Sequence, residues 1–291
     1  MRPLRTRLIG WLALVLGCAM PCLAARVVVD EKGRRVTVPD HPHRIICLVP
    51  SITDTVFSIG EGPDVVGITD YVEYPAEAKS RANVGAIDTP SIEAILNLHP
   101  DLILGTPPPY NQQSTLDRLE QLGIPVFLVD PHGIQGILNT IASVGRATNH
   151  EAAAAAEIAR LNARMDAVRR RVRDKPVIQL FMPLSVEPVI TIGRGAFITE
   201  LVTLAGAHSV TDDIQQEWPQ VSLEAVVERA PQALLLMRDG HTTLASLRDR
   251  PGWKILPAVR NGRVYYADNR VNFPSPIAID ELEDLARQFH P

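Results

Sequence analysis

The chain has 291 residues, 46% of them hydrophobic and 21% charged, with 29 basic against 33 acidic side chains. That length supplies ample core for one large or two medium domains. The acidic balance excludes the basic footprint of a nucleic-acid binder, and three cysteines leave too few thiolates for an iron–sulfur cluster held within one chain.

The first residues read as an export signal. Arg2, Arg5 and Arg7 precede an uncharged apolar run from Leu8 to Leu16, the charge-then-apolar order of a secretory leader. The run is shorter than the roughly 20 residues a membrane span needs. Cys22, Leu23 and Ala24 permit cleavage before Ala25, giving a signal peptide over 1–24 and a soluble periplasmic form. An alternative is a lipobox over Leu14–Cys18, with Cys18 carrying a lipid anchor. After cleavage only Cys47 remains. It sits in the apolar run Arg44–Val49 and reads as a core thiol rather than a nucleophile.

Next, Val27–Gly33 and Arg34–Val38 predict a hairpin turning around Lys32 and Gly33. Short apolar runs at Ile45–Val49, Val65–Ile68, Leu102–Leu104 and Val126–Val129 then alternate with helical patterns at Thr53–Ile59, Ile92–Leu98, Gln113–Leu122 and Ile134–Ala147. The alternation predicts a mostly parallel sheet flanked by helices. It resumes at Val177–Phe181, Ala233–Met237 and Val264–Tyr266. Between the two series, Asn149–Val172 has no Gly or Pro and places Ile158, Leu161, Met165, Val168 and Val172 in one stripe. It predicts a rod of roughly 36 Å at ~1.5 Å per residue. The expected organisation is an α/β lobe over 26–147, a linking helix over 148–173 and a second α/β lobe over 174–291, with a cleft between the lobes.

An internal repeat supports the two lobes. Ser91, Glu93, Ala94, Pro100 and Leu104 recur as Ser222, Glu224, Ala225, Pro231 and Leu235 at one constant offset. A second pair precedes it in the same order: Thr53, Asp54 and Gly60, matched by Thr199, Glu200 and Gly206. Ser91 and Ser222 suit helix N-caps, and Glu93 and Glu224 would sit in the first turn, where the helix dipole favours a carboxylate. Two exposed carboxylates, one per lobe, would also make matched docking points for a basic partner.

Other chemistries leave little trace. The eight His are scattered without ligand spacing, so no metal site is expected. Gly193-Arg194-Gly195 lacks the third glycine of a dinucleotide fold and reads as a strand-to-helix turn. Neither a phosphate-binding Walker loop nor a Gly-x-Ser-x-Gly elbow occurs. No enzymatic activity and no resident cofactor are expected.

The stretches Arg44–Asp54, Asp70–Lys79, Ser91–Leu104 and Trp218–Ser222 resemble the cobalamin-type, helical-backbone class of periplasmic binding proteins that serve ABC importers. The resemblance runs over nearly the whole mature chain. It implies two Rossmann-like lobes joined by a backbone helix, a corrinoid as transported ligand, and an importer permease with its ATPase subunits as partner. It further implies that Glu93 and Glu224 pair with permease arginines, that Tyr71 and Trp218 contact the ligand, and that Asp268 lies near a polar ligand-facing position. The chain is expected to act as a monomer. It departs from the family where Ile87 and Asp88, which take a place among the expected ligand contacts, replace an expected tryptophan and where an arginine after Ser275-Pro276 is missing. Arg270, Asn272 and Phe273 are candidates to compensate. Haem or a ferric siderophore is the alternative ligand within the class, with Tyr71, Arg194 and Arg270 as candidate contacts; an enzyme or cofactor-holding scaffold is the alternative outside it.

Overall fold

The computed structural model describes residues 25–238 and 240–291. The expected signal peptide over 1–24, Cys18 included, lies outside the described residues. Among those described, no helix is long and apolar enough to cross a membrane.

An antiparallel hairpin, β1 (Ala25–Val29) and β2 (Arg35–Pro39), opens the chain. It leads into β3 (Ile45–Cys47), α1 (Pro50–Ser58), β4 (Val65–Ile68), β5 (Ala82–Asn83), α2 (Ile92–Asn97), β6 (Leu102–Gly105), α3 (Gln113–Gln121), β7 (Val126–Leu128) and α4 (Gly133–Thr148). These strands form a parallel sheet in the order β5-β4-β3-β6-β7. Every residue of β3, β6 and β7 is buried. Helices cover both faces of such a sheet, so its strands read as unbroken apolar runs.

The second half begins after α5 (Glu151–Val172). It comprises β8 (Ile178–Phe181), the short hairpin β9 (Ser185–Val186) and β10 (Val189–Ile190), α6 (Phe197–Leu204), β11 (Ala207–Ser209), α7 (Leu223–Arg229), β12 (Ala233–Met237), α8 (Leu244–Asp249), α9 (Pro257–Arg260), β13 (Val264–Ala267) and α10 (Ala278–Phe289). Its parallel sheet runs β11-β8-β12-β13. The order β4-β3-β6-β7 of the first sheet is the same path, so the sequence repeat is a repeat of topology. The two repeated motifs differ in offset because Ser91 lies 31 positions after Gly60 but Ser222 only 16 after Gly206, the longer stretch carrying β5, which has no counterpart in the second sheet.

The repeat is equally exact in its details. Ser91 and Ser222 cap α2 and α7, accepting from the amides of Ala94 and Ala225 at 3.2 and 3.1 Å. Helices α1 and α6 each stop at a glycine with φ of 89°, Gly60 and Gly206. A side chain is disfavoured in that left-handed region, which is why glycine ends both.

The linking rod is shorter than expected. Asn149 adopts φ of 63° and closes α4, so α5 starts at Glu151. Its 22 residues span about 33 Å. Ala154, Leu161, Met165 and Val168 are buried, while Ile158 and Val172 are partly buried against the same core. The helix lies against α4 on one side and α10 on the other. Arg164 holds α10 through Asp280 at 2.6 Å and Glu283 at 2.8 Å. One continuous apolar cluster takes in α4, α5, α6, α10 and the strands of both sheets, so any large lobe separation must expose part of it.

Candidate functional site

Loops of the two halves enclose a cleft of about 580 Å³, within the roughly 300–1,000 Å³ usual for small-molecule sites. Loops at the carboxyl ends of the parallel strands build its walls, the preferred position for a site in open α/β sheets.

From the first half come Tyr71, after β4, and Tyr110, after β6. From the second come Phe197 at the start of α6, Trp218 before α7, and Phe273 before α10. Tyr71 is 76% exposed and Trp218 49% exposed. Tyr71 also holds φ of 65°, a strained conformation for a bulky residue. A large aromatic kept exposed on strained backbone at a cleft marks a binding surface.

The polar lining is acidic. Asp130, Glu200 and Glu217 face it with Arg194 and His132. His132 Nε2 stands 2.9 Å from Asp130 Oδ1. Arg194 donates from Nε to the Asp212 carbonyl at 2.8 Å.

The expected ligand contacts divide. Tyr71, Ile87 and Trp218 line the cleft, with Arg194, Asn272 and Phe273. Asp88 does not; it is exposed beside Ile87 and accepts from Thr89 Oγ1. Asp268 and Arg270 are not in the lining either. Arg270 is committed to three carboxylates: Asp268 at 3.1 Å, Glu281 at 2.9 Å and Asp284 at 2.7 Å. The Glu281 contact is an ion pair without hydrogen-bond geometry, leaving Glu281 Oε2 without a hydrogen bond. Burial pushes the Glu281 carboxyl up, against the pull of the Asp268 amide and the Arg270 charge. Asp268 also accepts from Tyr74 Oη across the lobes at 3.3 Å. Asp268 therefore braces the lobe junction and Arg270 ties Asp268 to α10, and neither lines the cleft.

Glu93 and Glu224 are exposed in the first turns of α2 and α7. Cys47 is buried in β3, and burial drives its thiol up to about 12, against a lowering hydrogen bond with Thr53.

Sequence reasoning missed Tyr110 and Phe197, single loop or helix-start aromatics with no periodicity to announce them. It also missed Asn111, which is fully buried. Its Oδ1 accepts from the Thr106 amide at 2.9 Å, and its Nδ2 donates to the carbonyls of Ile87 at 2.8 Å and Leu48 at 3.3 Å. Asn111 thus ties three loops together and fixes the Ile87 wall.

This two-lobed arrangement has known counterparts. A family model described as periplasmic binding protein matches residues 45–271. The cobalamin-binding protein of Halobacterium salinarum is 28% identical over 275 residues, covering 90% of this chain and 73% of that protein. The crystal structure of the periplasmic vitamin B12-binding protein BtuF of Vibrio cholerae superposes with a TM-score of 0.71 at 27% identity, covering 85% of this chain and 96% of that one. The apo periplasmic haem-binding protein RhuT from Roseiflexus sp. RS-1 superposes with a TM-score of 0.76 at 24% identity, covering 85% and 98%, a likeness of fold. With a two-lobed α/β fold, an open cleft between repeated halves and a family match over most of its length, the chain belongs to the periplasmic binding protein family.

Proposed function

We propose that this protein captures a corrinoid of the cobalamin type in the cleft and delivers it to the permease of an ABC importer. The observation that carries the reading is the pair of exposed aromatics, Tyr71 and Trp218, set on opposite lobes of one cleft. A corrin ring is broad and partly apolar with a fringe of amides. Aromatic faces cover its plane, and the lining carboxylates accept from its amide N–H groups. The likeness to cobalamin-binding relatives supports the same ligand.

The acidic lining weighs against the alternatives. Haem brings two propionates and siderophores bring anionic chelating groups, and both call for cations. Arg194 stands here against Asp130, Glu200 and Glu217. His132 and Tyr71 could reach a metal, but the charge balance favours an amide-bearing ligand.

Delivery follows from the outer surface. Glu93 and Glu224 occupy repeat-related positions on exposed helix starts, one per lobe, and serve as docking points for permease arginines. Residues 1–24 have the charge-then-apolar pattern of an export leader, which supports a soluble periplasmic form acting as a monomer; anchoring at Cys18 is the alternative form.

The experiment mixes purified protein with cyanocobalamin, haemin and a ferric siderophore, then measures tryptophan quenching and the colour retained after desalting. Cyanocobalamin alone should stay bound. Retention of haemin alone would overturn the ligand assignment.

A further inference from the structure

Ligand capture and docking do not explain why Asp54 and Glu200 stand at matched positions of the Thr53–Gly60 and Thr199–Gly206 repeat. Its acidic members, Asp54 on α1 and Glu200 on α6, do the same thing in opposite directions. Asp54 Oδ2, from the first half, accepts from Ser275 Oγ at 2.7 Å and from the Ile277 amide at 2.8 Å, immediately before α10 of the second half. Glu200 Oε2, from the second half, accepts from the Ile134 amide at 2.9 Å, in the first turn of α4 of the first half. Each carboxylate satisfies amides that a helix start leaves unpaired, and each does so across the lobe boundary. The two capped helices are those that flank the linking helix α5.

We propose that Asp54 and Glu200 form a reciprocal latch that sets how the lobes stand relative to one another, pivoting at Asp54 and yielding at Glu200.

The asymmetry of the pair assigns the two roles. Asp54 is 9% exposed and holds two donors. Taking it apart would strand a buried carboxyl, which makes it the fixed point. Glu200 is exposed, lines the ligand cleft and holds one amide donor. Water can reach that single partner, so parting it costs less than parting the two donors of buried Asp54, and this half parts first. Gly133 shows how closely the parts meet: a Cβ there would lie 2.5 Å from Glu200 Oε2. A side chain at position 133 is therefore incompatible with the engaged latch. Because Glu200 also faces the ligand, the half that yields is the half that ligand can reach.

The latch is a property of the ligand-free protein, so its test is independent of which molecule the cleft binds. Nitroxide labels on Asn97→Cys and Glu228→Cys, exposed on α2 and α7, report the lobe-to-lobe distance by pulsed electron paramagnetic resonance. Buried Cys47 does not compete for label. Glu200→Ala should broaden the distance distribution and speed amide exchange at Ile134 about tenfold or more, as loss of a charge-assisted hydrogen bond does. Glu200→Gln keeps an acceptor and should restore the parent distribution. Asp54→Ala should speed exchange at Ile277 and lower the melting temperature more than Glu200→Ala does. Should Asp54→Ala not fold, Asp54→Leu, of similar size but without an acceptor, takes its place, with faster Ile277 exchange expected. An unchanged distance distribution in folded Glu200→Ala, or unchanged Ile277 exchange in the Asp54 variant, overturns the latch. Larger loosening at Asp54 than at Glu200 with an intact fold reverses the assigned pivot and overturns it as well.

Discussion

Removing the two cleft aromatics probes the proposed site most sharply. An exposed tyrosine or tryptophan offers about 150–250 Å² of surface, and Tyr71 and Trp218 present 76% and 49% of theirs. A flat ligand covers one face, roughly half of what is exposed. That amounts to about 75 Å² on Tyr71 and about 60 Å² on Trp218, or ~2 and ~1.5 kcal/mol at ~25 cal/mol per Å². At about 1.4 kcal/mol per decade, Tyr71→Ala should weaken cyanocobalamin about thirtyfold and Trp218→Ala about tenfold. Equilibrium dialysis read by cobalamin absorbance measures both without relying on Trp218 as a reporter. Both variants should keep the parent melting temperature, because neither side chain is in the core. A change of less than about twofold in both would refute the cleft as the ligand site.

Four further outcomes follow from the same geometry. Glu93→Ala with Glu224→Ala should leave ligand affinity intact and abolish transport in reconstituted importer vesicles; an equal loss of affinity contradicts the division of labour. Arg270→Met should cost about 3–5 kcal/mol by stranding buried Glu281, read by urea denaturation, with cyanocobalamin affinity unchanged. Asp54 is pushed up by burial, against the Ile277 amide and Ser275 hydroxyl that lower it. The folded state therefore holds that proton more tightly than the unfolded chain. Its contribution to stability falls as pH rises from about 4 through the raised value; Asp54→Asn should flatten that limb of a melting-temperature profile, and an unchanged slope contradicts the reasoning. Cys47, with its thiol driven up to about 12, should resist iodoacetamide at pH 8 until the protein is unfolded; rapid native alkylation contradicts its burial.

Much of the fold was legible because burial writes itself into periodicity. Val65–Ile68 and Ala233–Met237 read as strands with the bounds they have, since central parallel strands are apolar on both faces. The edge strand β5 was silent: Ala82 and Asn83 are exposed and carry no pattern. Of the β9–β10 hairpin only the second strand was legible, as the apolar run Val189–Ile192 before Gly193; β9, two half-buried residues, was silent. The linking helix was legible but its start was not, because Asn149 in a left-handed turn looks like an ordinary polar residue until α4 and α5 are seen to meet there.

The site was legible where chemistry and position agreed. Tyr71 and Trp218 stood out as loop aromatics and do line the cleft. Asp268 was expected at the ligand from the family resemblance and Arg270 as compensation for a missing arginine, yet Glu281 and Asp284 on the following helix claim Arg270. Sequence shows a charge but not its partner across a loop. The repeat offered Asp54 and Glu200 as a matched pair without saying what they touched; only the crossing of lobes gives them a role.

A crystal structure with cyanocobalamin bound tests the central claim most directly. The corrin ring should lie between the lobes with Tyr71 and Trp218 against it, and Asp268 and Arg270 still joined to one another. A corrinoid seated elsewhere on the molecule, or a cleft left empty at saturating ligand, would contradict the account.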